Sequence, residues 1–362
     1  MKTIRKVTGR MLIIILSVYL AAQVALCQDE QTKKFSNQYD ANKNTILQLN
    51  NKYGNIDIRD WDENEISVEV TIVLKNVTSQ RAEQIFEKVD IDFSKDGNVI
   101  SVSTNYDEEF FRMVNKDQFF NEKKFEVNYL VKLPSYIKVE AVNKYGNVYI
   151  SKLESPSSIE VKYGTLKINQ IIAKDKDNMA LVELAYSKGN IENCEWLKLL
   201  TKYSQLGIEK SKALIIISKY SKLEIEEGSS LICESKYDGY EIGTLANFVT
   251  EAQYSNFRFD EIRRKIDLET KYTDVKVSNV PAGFESIDID NSYGSIKIAI
   301  DPSASYTLKG YAKYARISYP ENSRVNRFQE NTELRVEGTV GNAQKRPGKV
   351  NIETQYGGIN LY

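Results

Sequence analysis

Between Thr201 and Val277 one short pattern is written five times: TKYSQLGI, SKYSKLEI, SKYDGYEI, AQYSNFRF and TKYTDVKV. Tyr203, Tyr220, Tyr237 and Tyr254 stand 17 residues apart, and Tyr272 follows after 18. Apolar residues recur three places after each tyrosine (Leu206, Leu223, Tyr240, Phe257, Val275), five places after (Ile208, Ile225, Ile242, Phe259, Val277) and usually six before (Leu197, Leu214, Leu231, Phe248, Ile266). A fixed period of this size is the signature of a repeat architecture and rules out most globular folds at once.

Within a copy the apolar positions alternate, as in Leu214 and Ile216 or Leu223 and Ile225, which marks strand and not helix. The parity changes just after the tyrosine, across small or polar turn formers such as Ser204-Gln205, Ser221-Lys222 and Asp238-Gly239. Each copy therefore reads as strand, corner, strand, corner. At ~3.3 Å per residue its contour is about 56 Å, one rung of a β-solenoid stacked about 4.8 Å from the next. A lone rung has no covered face and depends on its neighbours for ladder hydrogen bonds and burial.

The same pattern is scattered over the rest of the chain. It appears as NKYGNIDI at Tyr53, NKYGNVYI at Tyr145, VKYGTLKI at Tyr163 and AYSKGNI at Tyr186, where Gly189 takes an apolar slot. Beyond the five regular copies come NSYGSIKI at Tyr293 and TQYGGINL at Tyr356. The expected ladder is thus Tyr53, Tyr145, Tyr163, Tyr186, Tyr203, Tyr220, Tyr237, Tyr254, Tyr272, Tyr293 and Tyr356. The solenoid is expected over residues 45–362, after a polar leader at 28–44, with residues 301–348 (Pro302, Pro320, Pro347) irregular. Ser79–Val89 is the one helix the spacing supports, because Ala82, Ile85, Phe86 and Val89 fall on one face. Residues 105–125 break the repeat with Phe110, Phe111, Phe119 and Phe120. They read as a cap over open strand edges or as an aromatic protrusion that meets a partner.

Residues 1–27 carry Lys2, Arg5, Lys6 and Arg10, no acid, and an apolar run from Met11 to Leu26, the pattern of a secretory signal peptide. Cleavage after Cys27 is the favoured reading; the rival is a lipoprotein acylated at Cys27. No later stretch approaches the ~18 apolar residues of a membrane span. The whole chain has 49 basic and 50 acidic residues, with no dominant basic patch, so nucleic acid is not an expected partner. Cys194 and Cys233 fall at non-equivalent points about two rungs apart, roughly 10 Å by ladder spacing, beyond the ~7 Å reach of a disulfide. Both are expected as buried free thiols.

At LPSYIKVEAVNKYGNVYI, with its relatives NKYGNIDI and TQYGGINL, the sequence resembles bacterial adhesin-like proteins of unknown activity, the β-strand-repeat and head-GIN auto-transporter-adhesin-like families. The likeness covers roughly Asn44 to Tyr362. It implies a single-stranded parallel β-helix, right-handed, in the cell envelope or beyond it, and it brings no catalytic motif. The chain departs from that pattern in having Tyr at nearly every corner and Ser in place of Gly in the middle copies.

The sequence contains no histidine, which removes Ser-His-Asp and Cys-His sites, His-ligated zinc and a His general base. There is no G-x-x-x-x-G-K phosphate loop. Paired carboxylates remain: Asp288 and Asp290 alternate with Ile287 and Ile289 and face outward, and Asp57 and Asp60 flank a similar strand. Such acids also furnish ordinary solvated strand faces, and no calcium-loop spacing accompanies them. Lys52, Lys144, Lys162, Lys202, Lys219, Lys236 and Lys271 precede ladder tyrosines and should point outward, making the column a structural staple or a stripe for sugar or an anionic polymer. The reading is an all-β, exported, non-enzymatic, adhesin-like protein without cofactor or metal. Its partner would be an envelope component, protein or glycan, met in the periplasm, on the outer-membrane surface or outside the cell. A polysaccharide-cleaving β-helix enzyme and an outer-membrane β-barrel are the alternatives.

Overall fold

The computed structural model describes residues 30–116, 124–173, 176–321, 323–341 and 347–362. Residues 1–27, read from sequence as a signal peptide ending at Cys27, and Phe119 and Phe120 lie outside the described residues. Each middle copy is one long strand, bent once: Gln205–Lys219, Lys222–Lys236, Gly239–Gln253 and Asn256–Lys271. Successive copies pair in parallel with the 17-residue offset, so Leu206 lies beside Leu223, Ile208 beside Ile225, Leu214 beside Leu231 and Ile216 beside Cys233. The half before each tyrosine and the half after it face one another across a continuous core; Phe248 of one half meets Phe259 of the other at 4.6 Å between ring centres. The interval of 18 before Tyr272 has a local cause. Between the pairs Leu245–Ile262 and Asn247–Lys265 the second strand runs one residue longer, a β-bulge that leaves the register intact on both sides.

Every described strand joins one hydrogen-bonded sheet of 26 strands. That sheet is open, and its central pairs are parallel, whereas a transmembrane barrel needs a closed antiparallel wall. The solenoid expectation holds.

The two ends are closed by antiparallel strands, which turn the ladder edges away from further stacking. At one end Val89–Asp96 runs against Val99–Tyr106, and Glu65–Lys75 runs against Phe125–Leu133. Glu30–Asp40, read from sequence as a polar leader, is an eleven-residue edge strand paired antiparallel with Glu65–Lys75. Its Phe35 and Tyr39 pack on the core, and Lys33 and Lys34 charge the free edge. At the other end Tyr306–Lys313, Glu333–Val340 and Arg324–Glu330 form an antiparallel set.

Among the described residues two helices interrupt the strands where one was expected. Helix α1 (Ser79–Phe86) buries Ala82 and Ile85 and is capped by the Thr78 hydroxyl, which accepts from the Arg81 N–H. Helix α2 (Glu108–Lys116) lies in the segment read as an aromatic insertion. The Asp107 carboxylate accepts the Glu109 N–H at its start, and Phe110 and Val114, four apart, are fully buried.

The stretch 301–348 holds a further complete layer, Tyr306–Lys313 followed by Ile317–Ser318. It is not stacked in chain order. Gly348–Gln355 pairs in parallel with Ser286–Ser292 on one side and with Tyr306–Lys313 on the other. Ile359–Leu361 likewise lies between Ile296–Ile300 and Ile317–Ser318. The segment latest in sequence is therefore the next-to-last layer in space.

Candidate interaction surface

The corners carry the repeated chemistry. At every ladder position the tyrosine adopts a left-handed backbone, with φ between 50° and 66°. This conformation costs a non-glycine residue roughly 1–2 kcal/mol. In return the tyrosine N–H reaches the carbonyl just before the corner of the next layer, as from Tyr203 to Lys219 and from Tyr220 to Lys236. The side chain is thrown outward into register with its neighbours.

The residue after the tyrosine comes in two forms. In the serine copies the hydroxyl donates to the carbonyl two residues back (Ser204 to Lys202 at 2.9 Å, Ser221 to Lys219 at 3.0 Å). The same oxygen accepts the corner N–H of the preceding layer, Ser187 to Ser204 and Ser204 to Ser221. Asp238 takes this place in one layer, receiving the Ser221 N–H and the Ser218 and Ser235 hydroxyls. In the glycine copies the backbones come closer: a Cβ on Gly146 would sit 1.8 Å from the Gly54 carbonyl oxygen. In two of them a buried asparagine two before the tyrosine donates to a corner carbonyl, Asn143 to Gly54 and Asn291 to Gly294, both at 2.9 Å. The Asn-x-Tyr-Gly and Ser-x-Tyr-Ser strings are two solutions to one corner, each bridging successive layers through a side-chain hydrogen bond.

The tyrosine rings stack from Tyr53 through Tyr293 with centroids 4.8–5.2 Å apart and planes within 16°. The column then passes to Tyr356 and ends on Tyr314. Tyr314 was not recognised in the sequence, although Lys313, Tyr314 and Ile317 repeat the spacing of the other copies. Eleven steps of about 4.9 Å carry the column over about 54 Å. Apart from the half-buried Tyr53, its rings are 41–52% exposed. Their faces cover one another, so the accessible part is the edge with its hydroxyl.

Lysines flank the column as expected from their position. Lys202, Lys219, Lys236 and Lys271 lean over the adjacent rings at 5.7–6.0 Å, and Lys52 approaches Tyr53 at 4.6 Å. The outward position three before the tyrosine is an acid in several layers, and Glu160 pairs with Lys162 at 2.6 Å. In two central layers that position holds Leu200 and Ile217, the latter 40% exposed. Among the described residues no salt bridge involves Lys202, Lys219 or Lys236.

Other expected positions part ways. Phe110 is fully buried, with Phe125 at 5.0 Å and Tyr106 at 4.7 Å, so it belongs to the cap and offers no surface. Phe111 is half-buried beside Tyr53. Asp288 and Asp290 do face outward, in a cavity of about 1030 Å³ shared with Lys309, Tyr311 and Arg335. Asp288 accepts a 2.7 Å hydrogen bond from Asn351. Asp57 is held by Arg59 and Asp60 by the Ser151 hydroxyl. Cys194 and Cys233 are buried free thiols, and burial pushes both up to about 12, far from nucleophilic readiness. Among the described residues no helix is long and apolar enough to cross a membrane, and no metal-binding group of His, Cys, Asp or Glu is present.

No curated protein matches the chain. A family model described as Toastrack DUF4097 matches residues 44–362. Among solved structures, a "putative adhesin" from Parabacteroides merdae is 11% identical, covering 92% of this chain and 96% of its own, with a TM-score of 0.35. A "putative adhesin" from Parabacteroides distasonis is 11% identical over 93% and 98%, with a TM-score of 0.32. A "putative cell adhesion protein" from Clostridium sporogenes is 12% identical over 91% and 99%, with a TM-score of 0.20.

Proposed function

The chain belongs to the Toastrack DUF4097 family, and from that premise we propose that it is an exported, non-enzymatic, adhesin-like solenoid that meets other molecules through its long side. The observation that carries this reading is the tyrosine column. A stack of half-exposed rings about 54 Å long, at a constant pitch, is a ruler and not a pocket. It presents the same chemistry many times to something that is itself extended or repeated. Multiplicity of weak contacts on a rigid frame converts low affinity per contact into firm attachment. The basic, apolar N-terminal segment supports export.

Fractionation followed by protease shaving of intact cells tests the reading. Recovery in the envelope or medium is expected, and retention in the cytoplasm would overturn it. The enzymatic alternative has its own test in a depolymerisation screen on pectins, alginates and host glycans. Reproducible cleavage, abolished by Asp288→Ala or Asp290→Ala, would replace the adhesin-like reading.

A further inference from the structure

A channel of about 1010 Å³ runs beside the tyrosine column from Tyr163 to Tyr237. Its floor is the corner residues Gly164, Ser187, Ser204 and Ser221, and its far wall includes Lys188, Gln205 and Lys222. Among the described residues no carboxylate lines it. On the other side of the rings Lys202, Lys219 and Lys236, each 5.7–6.0 Å from its ring centre, line a second groove of about 540 Å³ together with Glu160, Glu183, Glu234 and Glu251. These three lysines occupy equivalent positions in consecutive layers, so their backbones are about 4.8 Å apart. Stacked like charges are unfavourable in a sheet. Elsewhere the lysine row is balanced by acids three before the tyrosine, but here Leu200 and Ile217 stand in two of those places. Lys222 is shared with Glu224 at 2.9 Å and Glu241 at 3.7 Å; Lys188 makes no salt bridge among the described residues.

The ammonium groups of Lys202 and Lys219, set between the acids of the flanking layers and beside ring edges and hydroxyls, select for a particular chemistry. Aromatic edges carry the positive end of the ring quadrupole, and phenolic O–H groups donate. Both favour anions and hydroxyls. The closed ring faces deny what a single-stranded nucleic acid requires, because its bases bind by stacking on open aromatic faces. They equally deny the platform on which a neutral sugar ring would lie. Resting on the adhesin-like reading above, we propose that the Tyr186–Tyr237 segment binds a linear acidic polysaccharide. Its carboxylates or sulfates engage Lys202, Lys219 and Lys236, and its hydroxyls meet the tyrosine edges. The polymer runs parallel to the stacking axis.

The test uses the purified full-length protein and immobilised alginate, with neutral dextran and single-stranded oligo(dT) as comparators. Binding to alginate is expected to weaken at least tenfold between 50 and 300 mM NaCl as the ammonium groups are screened. The triple variant Lys202→Gln/Lys219→Gln/Lys236→Gln should weaken it at least tenfold at low salt. A control triple on the outward face beyond the corner, Arg258→Gln/Lys276→Gln/Lys297→Gln, should stay within twofold. Thermal melts of both variants show whether either has lost its fold. Absence of alginate binding, equal loss in the two triples, or tighter binding of oligo(dT) would each overturn the proposal. A protein found on the cell surface yet indifferent to alginate would refute this inference alone, whereas cytoplasmic retention would refute the reading it rests on.

Discussion

Replacing Tyr220 separates the two opposing energies of a corner. Its ring stacks on Tyr203 at 4.8 Å and on Tyr237 at 4.9 Å, and 42% of the residue is exposed. Two stacked pairs contribute about 1–3 kcal/mol beyond burial, and the covered part of the ring about 2 kcal/mol more. Tyr220→Ala forfeits both while keeping a left-handed backbone with φ of 53°, so a loss of about 3–5 kcal/mol is expected. Tyr220→Gly forfeits the same contacts but sheds the left-handed penalty of roughly 1–2 kcal/mol, offset by about 0.5–1 kcal/mol of extra chain entropy. Glycine should therefore be the milder change by about 0.5–1 kcal/mol, the reverse of the usual order inside a strand. Tyr220→Phe retains the stack and should remain within about 0.5 kcal/mol of the parent. Urea unfolding followed by far-ultraviolet circular dichroism, compared at constant m, reads the differences directly. If alanine matched or outperformed glycine, the corner geometry would be wrong; if both lost less than about 1 kcal/mol, the column would not be holding the layers.

Three further outcomes are expected. Gly146→Ala puts a methyl 1.8 Å from the Gly54 carbonyl oxygen, with only backbone to yield; a loss of about 3 kcal/mol or more is expected from a strained, broken corner, while Ser204→Ala should lose about 1–2 kcal/mol from the hydroxyl bridge, both read by chemical denaturation. Deleting Ser204–Tyr220, one full period, should leave a soluble protein with a cooperative melt, whereas deleting nine residues of it should not, because only the first restores register; equal damage would contradict the repeat. Raising the pH should destabilise the fold: Cys194 and Cys233 sit at about 12 when folded against a usual 9.0, so their contribution is complete below pH 9 and is lost as pH climbs toward 12. Each thiol steepens the decline by up to ~1.4 kcal/mol per pH unit in that window, and the slope measured by denaturant titration should flatten in Cys233→Ala.

The layers were legible because inward residues such as Leu214, Ile216, Leu223 and Ile225 alternate and then repeat at a fixed offset, and burial imposes both regularities. The corner backbone was not. A left-handed residue is ordinarily announced by Gly or Asn, and here tyrosine takes the position because the stack and the inter-layer hydrogen bond sustain it. Glycine follows the tyrosine in NKYG for another reason, the approach of one carbonyl to the next layer. Tyr314 was hidden by the expectation that copies stack in the order they are written. Helix α2 was obscured by its phenylalanines, which drew the eye to surface aromatics, although Phe110 and Val114 already lay four apart beyond a capping Asp107. The lysine columns were visible from spacing, but that Leu200 and Ile217 leave Lys202 and Lys219 without the neighbouring acid three before the tyrosine emerges only when the layers are aligned in space.

The placement of Gly348–Leu361 between layers that precede it makes the distal end of this rod a keystone assembly. Synthesis delivers the outermost course before the stone that bears it, so Tyr306–Ser318 and its hairpin wait unsupported until the tail slides home. A chain shortened by that tail would not simply be one storey lower; it would have a missing floor with a roof hung above it.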